Sequence, residues 1–122
     1  MPVRSLRSSV LRWPDPATVV DAARAWAQRL LAADPTVDRV GLVGSYARGD
    51  WGVGSDVDLV VIVAESPLPF ERRAARLDAL ELPVPADLLV YTRDEWARMV
   101  ADGRLAPLAR DVRWLADRAA ED

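Results

Sequence analysis

The chain has 122 residues, a formal net charge of −3, 51% hydrophobic residues and 29% charged residues, which suits one globular domain spanning residues 1–122. It contains no Cys, no His and no Lys, so disulfides, thiolate metal sites, histidine general bases and lysine nucleophiles are excluded. The negative charge argues against a broad nucleic-acid surface. No apolar run approaches the roughly 20 residues of a membrane span, so we expect a cytoplasmic protein.

The first predicted elements are a basic arm and a long helix. Residues 1–14 carry three Arg without a clear period and are predicted to be a flexible arm of the single domain. Asp15 followed by Pro16 is a typical helix start. Apolar residues at helical spacing then predict a helix over residues 16–33.

The middle of the chain is predicted to alternate between strands and helices. Apolar runs predict strands over residues 38–43, 57–64 and 86–91. A further helix is predicted over residues 70–80. Its packed face is predicted to carry Phe70, Ala74, Leu77 and Leu80. Its other face carries three arginines, interpreted as solvated rather than as a substrate-binding patch: Arg72, Arg73 and Arg76.

Two helices are predicted near the end of the chain. Thr92 and Glu95 form a capping box that opens a helix reaching about residue 101, in which Trp96 and Val100 are expected to face the core. In residues 107–119, apolar residues recur at spacings of three and four, which favours a helix.

The candidate site lies within residues 40–63. A strand ends at Gly44, and Ser45 then begins a short helix, where free backbone N–H groups favour an anion. Asp56 and Asp58 open the next strand and lie on one face of it, about 6.5–7 Å apart. Carboxylates at that spacing can hold two hard cations, and Mg²⁺ prefers oxygen ligands together with substrate phosphates. The stretch therefore predicts a phosphate site facing a metal site.

This motif resembles the signature of the DNA polymerase β-type nucleotidyltransferase superfamily. Gly44-Ser45 is followed, after ten residues, by Asp56-x-Asp58. Asp87, the single charge in an apolar run, matches the third carboxylate of that family. The short chain resembles the minimal nucleotidyltransferase branch, which partners HEPN-domain proteins in toxin–antitoxin pairs.

The resemblance covers about residues 17–100 and implies a fold. We expect a polymerase β-like α/β domain, in which a small mixed sheet of three to four strands has helices mainly on one face. Chains of this family often end in a short helix and an edge strand. Residues 112–115 are the candidates for such a strand, as the alternative to the helix favoured by periodicity.

The resemblance also implies the chemistry of the site. Nucleoside monophosphate, AMP from ATP in the antitoxin branch, would be transferred to a hydroxyl with release of pyrophosphate. Asp56 and Asp58 would bridge two Mg²⁺ ions and the triphosphate, and Asp87 would complete the metal that activates the acceptor. Gly44 would let the backbone approach the phosphates, and Ser45 would hold their oxygens.

Two side chains beside the turn have alternative roles. Arg48 is either a contact to the triphosphate or a surface Arg paired with Asp50. Tyr46 either stacks on the nucleotide base or packs against the sheet.

Two functions are consistent with these residues. The first is an enzyme, an antitoxin that adenylylates a tyrosine of its HEPN partner, and the presence of all three carboxylates favours it. The alternative is a binding module, a weakly catalytic or non-catalytic antitoxin that acts by protein–protein contact. At this length we expect no separate acceptor-binding domain, so the acceptor site is expected to come from a partner protein or a second copy, or to be very shallow.

Overall fold

The computed structural model describes residues 15–49, 56–103 and 110–121, so the predicted basic arm at residues 1–14 lies outside the described residues. In chain order, the elements are α1 (Pro16–Ala33), β1 (Val37–Val43), α2 (Ser45–Arg48), β2 (Val57–Val63), α3 (Phe70–Arg73), a 3₁₀ turn (Ala74–Arg76), β3 (Ala86–Thr92), α4 (Arg93–Asp102), β4 (Arg113–Asp117) and α5 (Arg118–Glu121). Within the described ranges, no helix is long and apolar enough to cross a membrane.

β1 is an inner strand of a four-stranded mixed sheet with the order β3-β2-β1-β4. It pairs antiparallel with β2 and with β4, whereas β2 pairs parallel with β3. The predicted mixed α/β sheet is therefore confirmed, and the strands predicted over residues 38–43, 57–64 and 86–91 match β1, β2 and β3 to within one residue at each end. This topology places the end of β1 beside the starts of the other three strands.

Helices cover the two faces of the sheet unequally. α1 contributes the buried Val19 and Trp26 to the larger hydrophobic cluster, which also contains Leu59 of β2. The alternate β2 residues Val60 and Ile62 point to the other face, where they join a smaller cluster with the buried indole of α4. α1 therefore covers most of one face, and α4 covers part of the other.

Both predicted helix starts are confirmed. The Asp15 side chain accepts a hydrogen bond from a backbone N–H in the first turn of α1, at 2.8 Å. Thr92 and Glu95 form the expected capping box at the start of α4. The prediction that Val100 faces the core is wrong, because that side chain is 44% exposed. Within α4, which is described in full, Trp96 alone is buried, so the turn that carries Val100 contributes nothing to the core.

The helix predicted over residues 70–80 is wrong beyond its first turns. α3 ends at Arg73, the 3₁₀ turn ends at Arg76, and Leu77 is extended, with φ −105° and ψ 141°. Leu80, which was predicted to pack, is 93% exposed. Helical periodicity in this segment has been overridden by contacts to other elements.

Contacts with α1 hold the chain away from a helical path after the 3₁₀ turn. The indole Nε1 of Trp26 donates to the carbonyl of Asp78 at 2.8 Å, and Arg29 forms an ion pair with Glu81. In a continued α-helix the Asp78 carbonyl would point along the helix axis and would be unable to accept from Trp26. Pro83 also lacks the N–H that a longer helix would need for its backbone hydrogen bonds. These tertiary contacts replace the helical hydrogen bonds.

Arg73 contradicts the predicted solvated face, although the other two arginines of that face are exposed. Its side chain is 8% exposed and pairs with Glu95 through contacts of 2.6 and 3.1 Å. The same guanidinium donates to the carbonyls of Leu68 at 2.8 Å and Val90 at 3.2 Å. Hydrogen bonding from Arg73 lowers the pKa of Glu95 to about 2. Arg73 thus joins α3, β3 and α4.

The helix favoured for residues 107–119 is wrong, and the edge strand is correct. β4 pairs with β1, and Trp114 contacts the Arg39 guanidinium, which lies 3.9 Å from its ring centroid. Trp114 also packs edge-on against Trp96, with ring centroids 5.8 Å apart. The free edge of β1 offers a row of backbone hydrogen bonds that outweighs local helical periodicity. Residues 104–109 lie outside the described residues.

We expect Glu95→Gln to lower the free energy of unfolding by about 1–3 kcal/mol at neutral pH, because the buried Arg73 guanidinium loses its charged partner. The folded-state pKa of Glu95 lies below its unfolded value of 4.5, so the wild type has this stability above that value and loses it as the pH falls towards about 2. The difference between variant and wild type in urea titrations should therefore shrink over that acidic range.

Glu65→Gln, a change at an exposed carboxylate, is the matched control and should leave the unfolding free energy unchanged. Equal stability of Glu95→Gln and the wild type at neutral pH would contradict the role given to this ion pair.

Candidate functional site

Strand pairing brings the predicted site residues together at one end of the sheet. Asp58 in β2 lies opposite Val43 in β1 and opposite Asp87 in β3. Gly44 directly follows β1 and lies at the same end. Together with Arg48, these residues line an open cleft of about 490 Å³, a volume within the range of small-ligand sites.

Gly44 lies as close to Asp58 as the backbone allows. Its φ is +75°, in the region that favours glycine, and a Cβ atom here would collide with Oδ2 of Asp58 and lie 3.3 Å from its Cγ. The Gly44 carbonyl accepts hydrogen bonds from the N–H groups of Ala47 and Arg48, both at 3.1 Å. The turn from β1 into α2 therefore requires glycine beside the carboxylate.

α2 is the predicted single helical turn, and it ends at Gly49, which has a φ of +85°. Ser45, its first residue, is half-buried next to the Gly44 turn. Tyr46 is 3% exposed and belongs to the main hydrophobic cluster, so packing against the sheet is correct and base stacking is wrong. Arg48 is exposed at the cleft, whereas its alternative partner Asp50 lies outside the described residues.

The electrostatics of the cleft centre on Asp58. Burial raises the pKa of the Asp58 carboxyl, the carboxylates of Asp87 and Asp56 raise it further, and Arg48 acts in the opposite direction. The folded chain therefore holds Asp58 where its ionised form is unfavourable. A bound cation would offset both the burial and the repulsion between the carboxylates.

The donor set at this end of the sheet fits Mg²⁺ in its chemistry. Mg²⁺ is commonly held by one or two carboxylates, with waters and substrate phosphates as its other ligands. Asp58 and Asp87 face each other across β2 and β3, and the exposed Asp56 directly precedes β2. In the part of the chain that the structure describes, no group of three or more acidic side chains is close enough to hold a metal ion alone. A Mg²⁺ ion held by Asp58 or Asp87 would take its other ligands from waters or substrate oxygens.

Asp111 is a cleft residue that the sequence analysis did not identify. It lies two residues before β4 and lines the same cleft as Asp58 and Asp87. The segment around it was predicted as helix, and only the pairing of β4 with β1 brings it to this end of the sheet. Its position just before the alternative edge strand was the one available signal.

We expect Gly44→Ala to destabilise the fold more than Gly49→Ala. Both residues have positive φ, but ψ is 11° at Gly49, in the left-handed helical region, and −152° at Gly44, in a region essentially restricted to glycine, so alanine adds more backbone strain at Gly44. A Cβ at Gly49 meets no atom within 4 Å, whereas a Cβ at Gly44 must displace Asp58. Urea titrations of the two variants measure the combined backbone and steric cost at Gly44, and equal losses of unfolding free energy would contradict this constraint.

Asp87→Asn should lower the pKa of Asp58, because one of the carboxylates that raises it becomes neutral. A raised folded-state pKa costs stability once the pH exceeds the unfolded value of 3.8, so the variant should also be more stable at neutral pH, by less than about 1 kcal/mol. NMR titration of the Asp58 carboxyl carbon without metal measures the shift. Asp21→Asn, at an exposed site on α1, is the control, and the same Asp58 pKa in both variants would contradict the repulsion.

Comparisons with known proteins identify the family of the chain. The family model described as "Nucleotidyltransferase domain" matches residues 24–107. A protein of Methanocaldococcus jannaschii named "Putative protein adenylyltransferase" is 41% identical over 54 residues, which are 44% of this chain and 54% of that protein. The chain thus matches about half the length of this curated relative.

Solved structures provide a second comparison. A crystal structure of a "putative nucleotidyltransferase" from Sulfolobus solfataricus has a TM-score of 0.64 over 85% of both chains, at 18% identity, and so shares the fold. A crystal structure of a toxin–antitoxin with AMP-PNP covers 88% of this chain and 77% of its own at 17% identity, and its TM-score of 0.45 is too low for a conclusion. Since the family model spans more than half of the chain and every predicted site residue, the chain belongs to the nucleotidyltransferase domain family.

Proposed function

We propose that this chain is a Mg²⁺-dependent nucleotidyltransferase that transfers AMP from ATP to a hydroxyl group of a partner protein. Membership of the nucleotidyltransferase family supports the reaction class. The observation that carries the proposal is the pairing of Asp58 with Asp87 beside the Gly44 turn, at an open cleft. Facing carboxylates next to a close backbone turn suit a metal-bound triphosphate.

Each of the predicted site residues has a role in this proposal. Asp56, Asp58 and Asp87 would hold two Mg²⁺ ions, which would stabilise the negative charge on the attacking and leaving oxygens. Gly44 allows the turn to lie close to the triphosphate, and Ser45 donates its hydroxyl to a β- or γ-phosphate oxygen. These contacts orient the α-phosphorus towards the acceptor.

Arg48 would supply positive charge to the triphosphate in the cleft. Arg48 is exposed and lines the same cleft as Asp58, and its positive charge opposes the rise in the pKa of that carboxyl. A guanidinium can donate two parallel hydrogen bonds to phosphate oxygens, so we assign Arg48 to the triphosphate.

In the proposed reaction, the acceptor hydroxyl oxygen forms a bond to the α-phosphorus of ATP. The bond from that phosphorus to the oxygen that bridges to the β-phosphate breaks, and pyrophosphate leaves with this oxygen. The hydroxyl proton passes to the carboxylate of Asp87. Because the chain contains no His, a carboxylate is the available base.

Similarity to a known protein supports a protein as the acceptor. The curated relative is named a protein adenylyltransferase, which supports ATP as the nucleotide and a protein as the acceptor. The resemblance of the motif to minimal nucleotidyltransferases extends the proposal to a HEPN-domain toxin as that protein, with this chain as its antitoxin. An ATP-dependent reaction of this kind is expected in the cytoplasm.

Asp58→Asn should abolish Mg²⁺-dependent binding of ATP in calorimetry and lower the rate of AMP transfer by at least about 100-fold, because the central metal ligand is lost. Transfer is followed with ATP labelled at the α-phosphate, using a purified HEPN-domain protein as the acceptor. Asp94→Asn, at an exposed site on α4, is the matched control and should leave both quantities unchanged.

ATP binding that requires neither Mg²⁺ nor Asp58 would contradict the proposed site. If Asp58→Asn lost transfer but still neutralised the toxin, the antitoxin role by protein–protein contact would replace the enzymatic one.

A further inference from the structure

A second groove reaches Asp87 from the side opposite the cleft. It has a volume of about 990 Å³ and is lined by the 3₁₀ turn, by the segment that leads into β3, and by the first residues of β3. Asp87 and Leu88 line both openings. The carboxylate proposed to receive the acceptor proton is therefore accessible from two directions.

The segment that was wrongly predicted as helix forms the wall of this groove. The hydrogen bond from Trp26 to Asp78 holds the segment on α1. Leu82 and Val84, which are 8% and 4% exposed, line the groove, and Leu80 adds an apolar side chain that is 93% exposed. Leu80 therefore leaves apolar surface at this groove on which a side chain of a bound molecule can pack.

The start of β3 offers free backbone hydrogen-bonding groups along the same groove. The N–H of Val57 donates to the carbonyl of Pro85 at 2.9 Å, and Val57 is paired with Ala86. In a parallel ladder this pairing turns the N–H and C=O of Ala86, and of Leu88 two residues later, away from β2. Among the described residues no strand pairs with that side of β3.

The open part of this edge is short. The carbonyl of Val90, which faces the same way, already accepts a hydrogen bond from Arg73 at 3.2 Å. The free groups are therefore those of Ala86 and Leu88, the two residues on either side of Asp87. A strand added here would pass directly beside the Asp87 carboxylate.

We propose that an extended polypeptide segment of the acceptor protein binds in this groove as an added strand against Ala86 and Leu88. This inference rests on the proposed nucleotidyltransferase function and identifies how its acceptor is recognised. Backbone hydrogen bonds to β3 give affinity, and apolar side chains of the segment pack on Leu80 and the groove. A Ser, Thr or Tyr of the segment thereby presents its hydroxyl at Asp87.

The charges around the groove favour a polypeptide over a nucleic acid. Asp78 and Asp87 both line it, so the phosphates of a nucleic acid would be repelled. The nucleotide itself is assigned to the cleft on the other side of Asp87, which contains the Gly44 turn and Arg48. Such a division would bring the hydroxyl and the leaving pyrophosphate to opposite sides of the α-phosphorus, as in-line displacement requires.

The covalent step joins a hydroxyl of the segment in the groove to the nucleotide in the cleft. The side-chain oxygen of the segment bonds to the α-phosphorus of ATP, the bond to the bridging oxygen breaks, and pyrophosphate leaves through the cleft. The hydroxyl proton passes to Asp87, and the product is a phosphodiester between the side chain and AMP. ATP is the only co-reactant that the step consumes.

The test uses the full chain, Mg²⁺, ATP labelled at the α-phosphate, and an array of random peptides that each contain one Ser, Thr or Tyr. We expect labelling to favour peptides with apolar residues at alternate positions beside the hydroxyl. Leu80→Asp should lower this labelling at least about tenfold, the loss of one well-packed contact, without changing ATP binding. Val100→Asp is the matched control, because it changes another exposed apolar residue outside the groove.

A second pair of variants tests the backbone contact. Ala86→Pro removes the outward N–H at the first residue of an edge strand, where proline is tolerated, and should lower peptide labelling by a similar factor. Ala86→Val keeps the N–H and should retain labelling. Thermal unfolding of all four variants verifies that they are folded.

Several results would overturn the inference. Lower ATP affinity of Leu80→Asp would assign the groove to the nucleotide. Labelling of the chain alone would identify a second copy as the occupant. If ATP binds normally but no peptide is labelled, or labelling ignores the groove variants, the acceptor is not an extended segment at β3, while the proposed function stands. Absence of Mg²⁺-dependent ATP binding in the wild type would reject the proposed function itself.

Discussion

The pairing of Asp58 with Asp87 across two parallel strands is the constraint on which the site depends. Backbone hydrogen bonds between β2 and β3 fix the register, so two carboxylates that repel each other are held at the same level of the sheet. Burial raises the pKa of Asp58, and repulsion from Asp87 and Asp56 raises it further. The buried flanks of β2, with Leu59 and Val60 fully enclosed, provide the hydrophobic stabilisation that offsets this cost. The site thus holds negative charge that a bound cation would offset.

Arg73 fixes β3 against the two helices on either side of it in the sequence. Its guanidinium hydrogen bonds to Glu95 and to the carbonyl of Val90, so α3, β3 and α4 are joined by one buried cation. The hydrogen bond from Trp26 to the Asp78 carbonyl then holds the segment after the 3₁₀ turn against α1, so this segment does not continue as a helix. The outcome is an irregular connection into β3 that leaves an apolar groove where a helix would have packed.

Asp87 lies where the two openings of the surface meet. The cleft on one side contains the glycine turn, Arg48 and most of the charge, whereas the groove on the other side is largely apolar. A nucleotidyltransferase must bring together a highly charged nucleotide and an acceptor of different chemistry. The polarity of the two openings corresponds to that division, with one carboxylate accessible to both. Asp111 adds charge to the cleft from the far end of the chain.

The sequence by itself determined the features that depend on near neighbours. The caps at Asp15 and Thr92, the apolar runs of three strands, and the order of Gly44, Asp58 and Asp87 follow from local patterns, because caps, turns and alternation involve residues only a few positions apart. Only the tertiary structure decided the rest. β4 forms because β1 had a free edge with which it could pair. The helix predicted to continue from α3 ends early because Asp78 accepts a hydrogen bond from Trp26, 52 positions away, in place of a helical hydrogen bond. Such long-range competition leaves no periodic signal in the sequence.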